Sequence, residues 1–132
     1  MKKSRLLLMC LLPLIVLNHN YQEISLNRIF SLKEDIYGVL FYLDTCLACR
    51  NSKLYLLEQQ RRGGIHIYFI DFSTCEFQIK NESNLNINEY EKIYIKVAPT
   101  LLIIENKIII AELIGYKDII NYYQKSFYFS SL

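Results

Sequence analysis

Two cysteines separated by two residues, Cys46-Leu47-Ala48-Cys49, restrict the folds open to this chain, because they stand where an apolar run gives way to helical spacing. Residues 38–43, Gly-Val-Leu-Phe-Tyr-Leu, are continuous, apolar and rich in strand formers, the pattern of a central strand covered on both faces. From Leu47 to Arg61 the apolar residues Leu54 and Leu57 and the aromatic Tyr55 recur near helical spacing, until Gly63-Gly64 stops the helix. A second buried strand follows over 65–71. The order is therefore strand, helix, strand, with the cysteine pair at the first strand-to-helix junction.

The flanking segments extend this unit. Residues 23–29 read as a first strand, and Ser31-Leu32-Lys33-Glu34 has the Ser-x-x-Glu form that opens a short helix. Residues 81–88, with four Asn and one Ser, read as a polar surface loop, and residues 88–95 as a short helix. Val97-Ala98-Pro99-Thr100 leads directly into Leu101-Leu102-Ile103-Ile104, so Pro99 starts a strand. A tight turn at Glu105-Asn106-Lys107, a return strand over 108–114, a break at Gly115 and an amphipathic helix over 117–127 complete the chain. An antiparallel hairpin after a parallel unit predicts an α/β domain with a mixed central sheet of four or five strands flanked by helices.

With 132 residues, the chain suits one domain, assigned to 21–132, plus a short N-terminal appendage over 1–20. Of its 15 basic residues, Lys2, Lys3 and Arg5 fall in the first five positions, leaving 12 to face 13 acidic residues in the rest of the chain. That near-balance gives no nucleic-acid surface. The basic start precedes an uncharged apolar run of 12 residues, Leu6 to Leu17. A bilayer-spanning helix takes about 20 apolar residues, so the run fits an export signal; lacking a small-residue cleavage pair, it is alternatively retained as an anchor. Either way the domain is expected outside the cytoplasm, secreted or held at the outer face, with membrane contact only through residues 6–17. Cys10 lies within this run but lacks the small preceding residues of a lipoprotein signal.

Two thiols so placed have a distinctive chemistry. At the helix start, unpaired backbone N–H groups and the helix dipole favour a negative sulfur at Cys46. Cys49, one turn in, is less accessible and suited to releasing a mixed disulfide by intramolecular attack. Arg50 and Lys53 add positive charge, on the outer helix face where solvent screens it. Cys75 follows the second strand and is read as a small hydrophobe or, alternatively, as a third redox thiol. A zinc site would have to recruit Cys75 and His66, with no second C-x-x-C or paired His, so neither a metal nor any other cofactor is expected. A structural Cys46–Cys49 disulfide would constrain the unfolded chain little, because its loop is so short.

The element order, C-x-x-C at the start of the crossover helix, and Ala98-Pro99-Thr100 opening a later strand together resemble the thioredoxin superfamily, over about residues 24–125. The resemblance implies a thioredoxin-like fold and thiol-disulfide oxidoreductase activity. It makes Cys46 and Cys49 the catalytic pair and puts a cis-proline loop at Pro99 facing them. Substrate contacts are implied at Thr45, Ala98 and Pro99, and the partners would be protein or peptide thiols and disulfides. Gly115 also falls where the family usually has a glycine. Layout and the block 94–100 further resemble bacteriocin transport accessory proteins of Gram-positive bacteria, implying an exporter or a membrane redox protein as partner. The chain departs from reducing thioredoxins at Leu40 and Ile67, which stand where a buried acid and its lysine are usual. Thr45 replaces a tryptophan and Leu47-Ala48 a Gly-Pro pair. A second reading is a non-catalytic thioredoxin-fold accessory module. Eleven Tyr and seven Phe, crowded at Tyr122-Tyr123 and over 127–129, would serve its contacts.

Overall fold

A computed structural model describes residues 21–130, with side chains to 125; the export or anchor segment over 1–20 lies outside the described residues. Five strands form one mixed sheet in the order β1-β3-β2-β4-β5: β1 (Gln22–Glu23), β2 (Ile36–Tyr42), β3 (His66–Asp71), β4 (Thr100–Glu105) and β5 (Ile108–Ile114). Helix α1 (Leu47–Arg61) makes the crossover that leaves β2 and β3 parallel, and β1 adds to β3 in parallel. Strand β4 runs antiparallel to β2, and β5 antiparallel to β4, before helix α2 (Tyr116–Ser130).

The alternation of side chains along each strand divides the interior in two. Tyr37, Val39 and Phe41 of β2, Tyr68 and Ile70 of β3, and Leu102 and Ile104 of β4 face one way. Leu40 and Tyr42, Ile67 and Phe69, and Leu101 and Ile103 face the other, where they meet Cys49 and Leu56 of α1 and Ile119 of α2. Gly38 lies on the helix side, where a Cβ would come within 2.6 Å of Ile67 Cδ1 and 3.2 Å of Leu101 Cδ1, so glycine lets these two branched side chains close over the strand. Asn106 and Lys107, with φ of 51° and 64°, form the two-residue hairpin turn whose backbone twist suits antiparallel strands.

The face away from α1 and α2 differs from the expected helical cover. The expected strand over 23–29 shrinks to Gln22–Glu23, followed by a 3-10 turn at Leu26–Arg28, and no helix forms over 31–34. The groups of the apparent capping box are engaged elsewhere: Ser31 Oγ donates to the Arg28 carbonyl at 3.1 Å, and the Glu34 carboxylate accepts from Tyr68 Oη at 2.7 Å. Ile29 and Leu32 are drawn into the core as anchors of an irregular strap, and Lys107 Nζ donates to the Phe30 carbonyl.

The expected helix over 88–95 is likewise only a 3-10 turn, at Tyr90–Lys92. After it the chain is extended, with Ile93 and Ile95 buried on alternate positions and both backbone groups of Tyr94 bonded to Asn84: its N–H to Oδ1 at 2.9 Å, its carbonyl to Nδ2 at 2.8 Å. Asn84 is therefore buried rather than a loop-tip residue, and it also donates to Glu112 of β5. A polar side chain in the Asn-rich segment thus fixes the extended stretch around Tyr94 to β5 at the sheet edge, because a buried amide must find partners.

Candidate active site

Strand β2 delivers the chain to the end of the sheet at Tyr42, and Leu43-Asp44-Thr45 turns it into α1. Cys46 is the N-cap residue, extended at φ −95° and ψ 118°, and its Sγ accepts the Cys49 N–H at 3.1 Å. It thereby performs the cap function usually given to a hydroxyl or carboxylate oxygen, satisfying one of the orphan donors of the first turn. The same geometry directs the positive end of the helix dipole at the sulfur. Cys46 is half-buried and Cys49 wholly buried; both are free thiols.

Cys49 is enclosed by the helix-side core of Leu40, Leu56, Ile67, Phe69, Leu101 and Ile103. Burial above all, and next its hydrogen bond with Cys46, push its thiol up from 9.0 to about 11. Against these act the Leu43 N–H, which donates to Cys49 Sγ at 3.4 Å, and the charge of Lys53. The sign follows from linkage: between about pH 9 and 11 the folded chain keeps a proton that the unfolded chain has lost. This contribution to stability is whole below that window and is lost as pH rises through it. In native reduced protein at neutral pH, iodoacetamide is expected to modify Cys46 and leave Cys49 intact, since a rise of two units lowers the thiolate fraction about 100-fold. Peptide mass analysis after brief exposure checks this, and equal labelling of the two would contradict it.

Strand β4 begins beside the end of β2, with Thr100 paired to Phe41, so Pro99 is brought to the cysteine end of the sheet. The Ala98–Pro99 peptide is cis, and the Pro99 carbonyl accepts the Gly115 N–H at 2.9 Å. Gly115, at φ 88°, makes the sharp passage from β5 to α2 that allows this bond. Ala98 packs against the same helix-side core as Cys46. Thr45 and Leu47 on either side of Cys46 are exposed, as is Val97 before Ala98.

Other sequence candidates are not gathered here. Cys75 packs with the opposite core, its Sγ 3.6 Å from the Asp71 carbonyl, and burial pushes its thiol up. His66 begins β3 at the far end of the sheet, its ring paired with Gln22 at 2.7 Å. Among the described residues no group of three or more His, Cys, Asp or Glu side chains is arranged to hold a metal ion. Arg50 is exposed as expected.

Lys53 departs from expectation. Rather than pointing outward it folds back between helix and sheet, with Nζ 3.4 Å from the Tyr42 ring centroid and 3.0 Å from Tyr21 Oη. Tyr21 stacks on Phe69 with centroids 4.5 Å apart, and Tyr42 Oη donates to Glu23. Sequence reading missed this aromatic box because its walls come from β2, β3 and the residue before β1; the one local signal is that Lys53 follows Cys49 by four residues, one turn of helix.

The fold is that of thioredoxin. The chain superposes on mitochondrial thioredoxin 3 from Saccharomyces cerevisiae, crystallised in its oxidized form, with a TM-score of 0.58 and 14% identity, over 83% of this chain and 95% of that one. It superposes on thioredoxin f2 from Chlamydomonas reinhardtii with a TM-score of 0.52 and 21% identity, over 73% and 84% respectively. No protein-family model matches the sequence, and no curated protein matches it significantly.

Proposed function

We propose that this protein is a thiol-disulfide oxidoreductase acting outside the cytoplasm. The observation that carries the reading is the pairing of an accessible sulfur at a helix N-terminus with a buried one a turn later. Cys46 thiolate attacks a substrate disulfide; the substrate S–S bond breaks, one substrate sulfur leaves as thiolate, and the other is held on Cys46. Cys49 then loses its proton and attacks Cys46 Sγ, expelling the second substrate thiolate and leaving the Cys46–Cys49 disulfide. Two electrons have passed to the substrate, and the same steps in reverse oxidise a dithiol. Ala98 and Pro99, at the cis bend that enters β4 at the cysteine end of the sheet, offer the backbone against which a substrate segment pairs as an added strand, with the exposed Thr45 preceding Cys46.

The basic start and apolar run over 1–17 support export, and an oxidising exterior is where disulfide exchange has substrates. The partner class proposed is an exporter or the peptides it passes, and it rests on the layout and the sequence block 94–100 alone. The test is a trap. Cys49→Ser removes the resolving thiol, so mixed disulfides with envelope proteins are expected to accumulate, dissolving on reduction and absent from Cys46→Ala. Cys49→Ser that captures nothing, with partners retained noncovalently by Cys46→Ala, would overturn the reading in favour of a binding module.

A further inference from the structure

Cys49 poses a problem for the proposed mechanism. A resolving thiol must become a thiolate, and this one sits in an apolar enclosure with none of its surface exposed. Moving an unpaired charge into such surroundings is costly. Two groups favour its ionised form, the Leu43 N–H and Lys53. The first is backbone and also present when the thiol is protonated. The second is a full charge, and its position is built from β2, β3 and the residue before β1.

We propose that Lys53 is the positioning cation that allows Cys49 to ionise when it resolves the mixed disulfide, a role that rests on the oxidoreductase reading. Four residues on from Cys49, it projects from the same face of α1. Its Nζ is seated on the Tyr42 ring, bonded to the Tyr21 hydroxyl, and 5.9 Å from the Phe69 ring centroid. A freely moving lysine would be screened by water; this one is held at the helix–sheet interface, where charges interact more strongly. Burial alone would work against its charge, and Asp44, Glu23, Asp71 and Cys49 itself sustain it. The charged and titratable groups around the pair are thus Glu23 and Tyr21 from the β1 side, Tyr42 and Asp44 from β2 and its turn, Asp71 from β3, and Cys46 from α1. From β4 and β5 the enclosing residues Leu101, Ile103, Ala111 and Leu113 are apolar; α2 adds Tyr122 and Tyr123 beside the apolar Ile119, and α1 adds Tyr55, packed against the same core. The arrangement serves either direction of exchange, because the Cys49 thiolate is the attacking group in one and the leaving group in the other.

The experiment follows an aryl disulfide that releases a coloured thiolate on reaction with full-length reduced protein. A first, bimolecular release reports attack by Cys46, and a second, unimolecular release reports resolution by Cys49. In Lys53→Met the first phase is expected to match wild type within about twofold. The midpoint of the second phase against pH should rise by about one unit. A tenfold smaller thiolate fraction, partly offset by the greater nucleophilicity of a more basic sulfur, makes resolution about threefold slower on the rising limb. Lys53→Arg should restore the midpoint. Tyr21→Phe, which keeps the ring and removes the hydroxyl that holds Nζ, should move it in the same direction by less and covers the case in which Lys53→Met does not fold. An unchanged midpoint in the folded variants, or slowing at every pH without a shift, overturns the proposal. A wild-type protein with no first phase would instead defeat the oxidoreductase reading itself.

Discussion

Cys46→Ala is expected to abolish turnover of a disulfide substrate, lowering the rate by at least about a thousandfold, because no other sulfur among the described residues reaches the position from which attack begins. Cys49 is buried on the inner face of the helix, and Cys75 packs against the core on the opposite face of the sheet. The same substitution also removes an N-cap acceptor, since Cys46 Sγ receives the Cys49 N–H, and this costs about 0.5–2 kcal/mol of stability. Cys46→Ser separates the two effects. A hydroxyl can take over the cap and bring stability back towards wild type, yet it is too poor a nucleophile to replace the thiolate, so turnover stays lost. Assay of insulin reduction with dithiothreitol, alongside urea unfolding of both variants, checks the pair of expectations. Residual activity in Cys46→Ser within tenfold of wild type would show that the reaction does not start at this sulfur.

Phe69→Ala is expected to lose about 3–5 kcal/mol of unfolding free energy, the range for removing a large side chain from a packed interior. Phe69 is wholly buried in β3, the strand between β1 and β2, and its ring touches several functional parts at once. It stacks on Tyr21 and meets the Tyr42 ring edge-on at a centroid distance of 6.4 Å. Those two tyrosines hold the Lys53 ammonium, so the cavity also loosens the charge beside Cys49. Phe69→Leu keeps most of the volume and should cost less than half as much. Urea unfolding of the three proteins provides the comparison, and a loss below about 1 kcal/mol in Phe69→Ala would show that this face is not close-packed.

How much of the structure was legible in the sequence depended on how local its cause is. The limits of α1 followed from Cys46 at one end and Gly63-Gly64 at the other, since capping and glycine termination are decided within a few residues. The hairpin was equally plain, with Asn106-Lys107 between two isoleucine-rich runs. The segments that failed were those whose polar groups are engaged at a distance. Ser31 and Glu34 had the form of a capping box, but Glu34 is claimed by Tyr68 on β3. Residues 88–95 carried enough apolar positions for a helix; the alternate burial of Ile93 and Ile95 and the grip of Asn84 on Tyr94 made them extended.

The same division holds at the site. Cys46, Cys49 and the Ala98-Pro99 step are contiguous motifs and could be read directly. Lys53 was placed on the solvent face because its helical position alone does not disclose that Tyr21, Tyr42 and Phe69 wait across the interface.

If Cys46 and Cys49 form one reversible redox couple, the pair has a defined reduction potential, which equilibration with glutathione buffers and thiol trapping would measure in the domain from Tyr21 onward. A single two-electron transition is expected, between about −120 mV for a disulfide donor and about −270 mV for a reductant. A pair that stays locked, or fails to exchange anywhere across that range, would show that the two cysteines are not a redox couple.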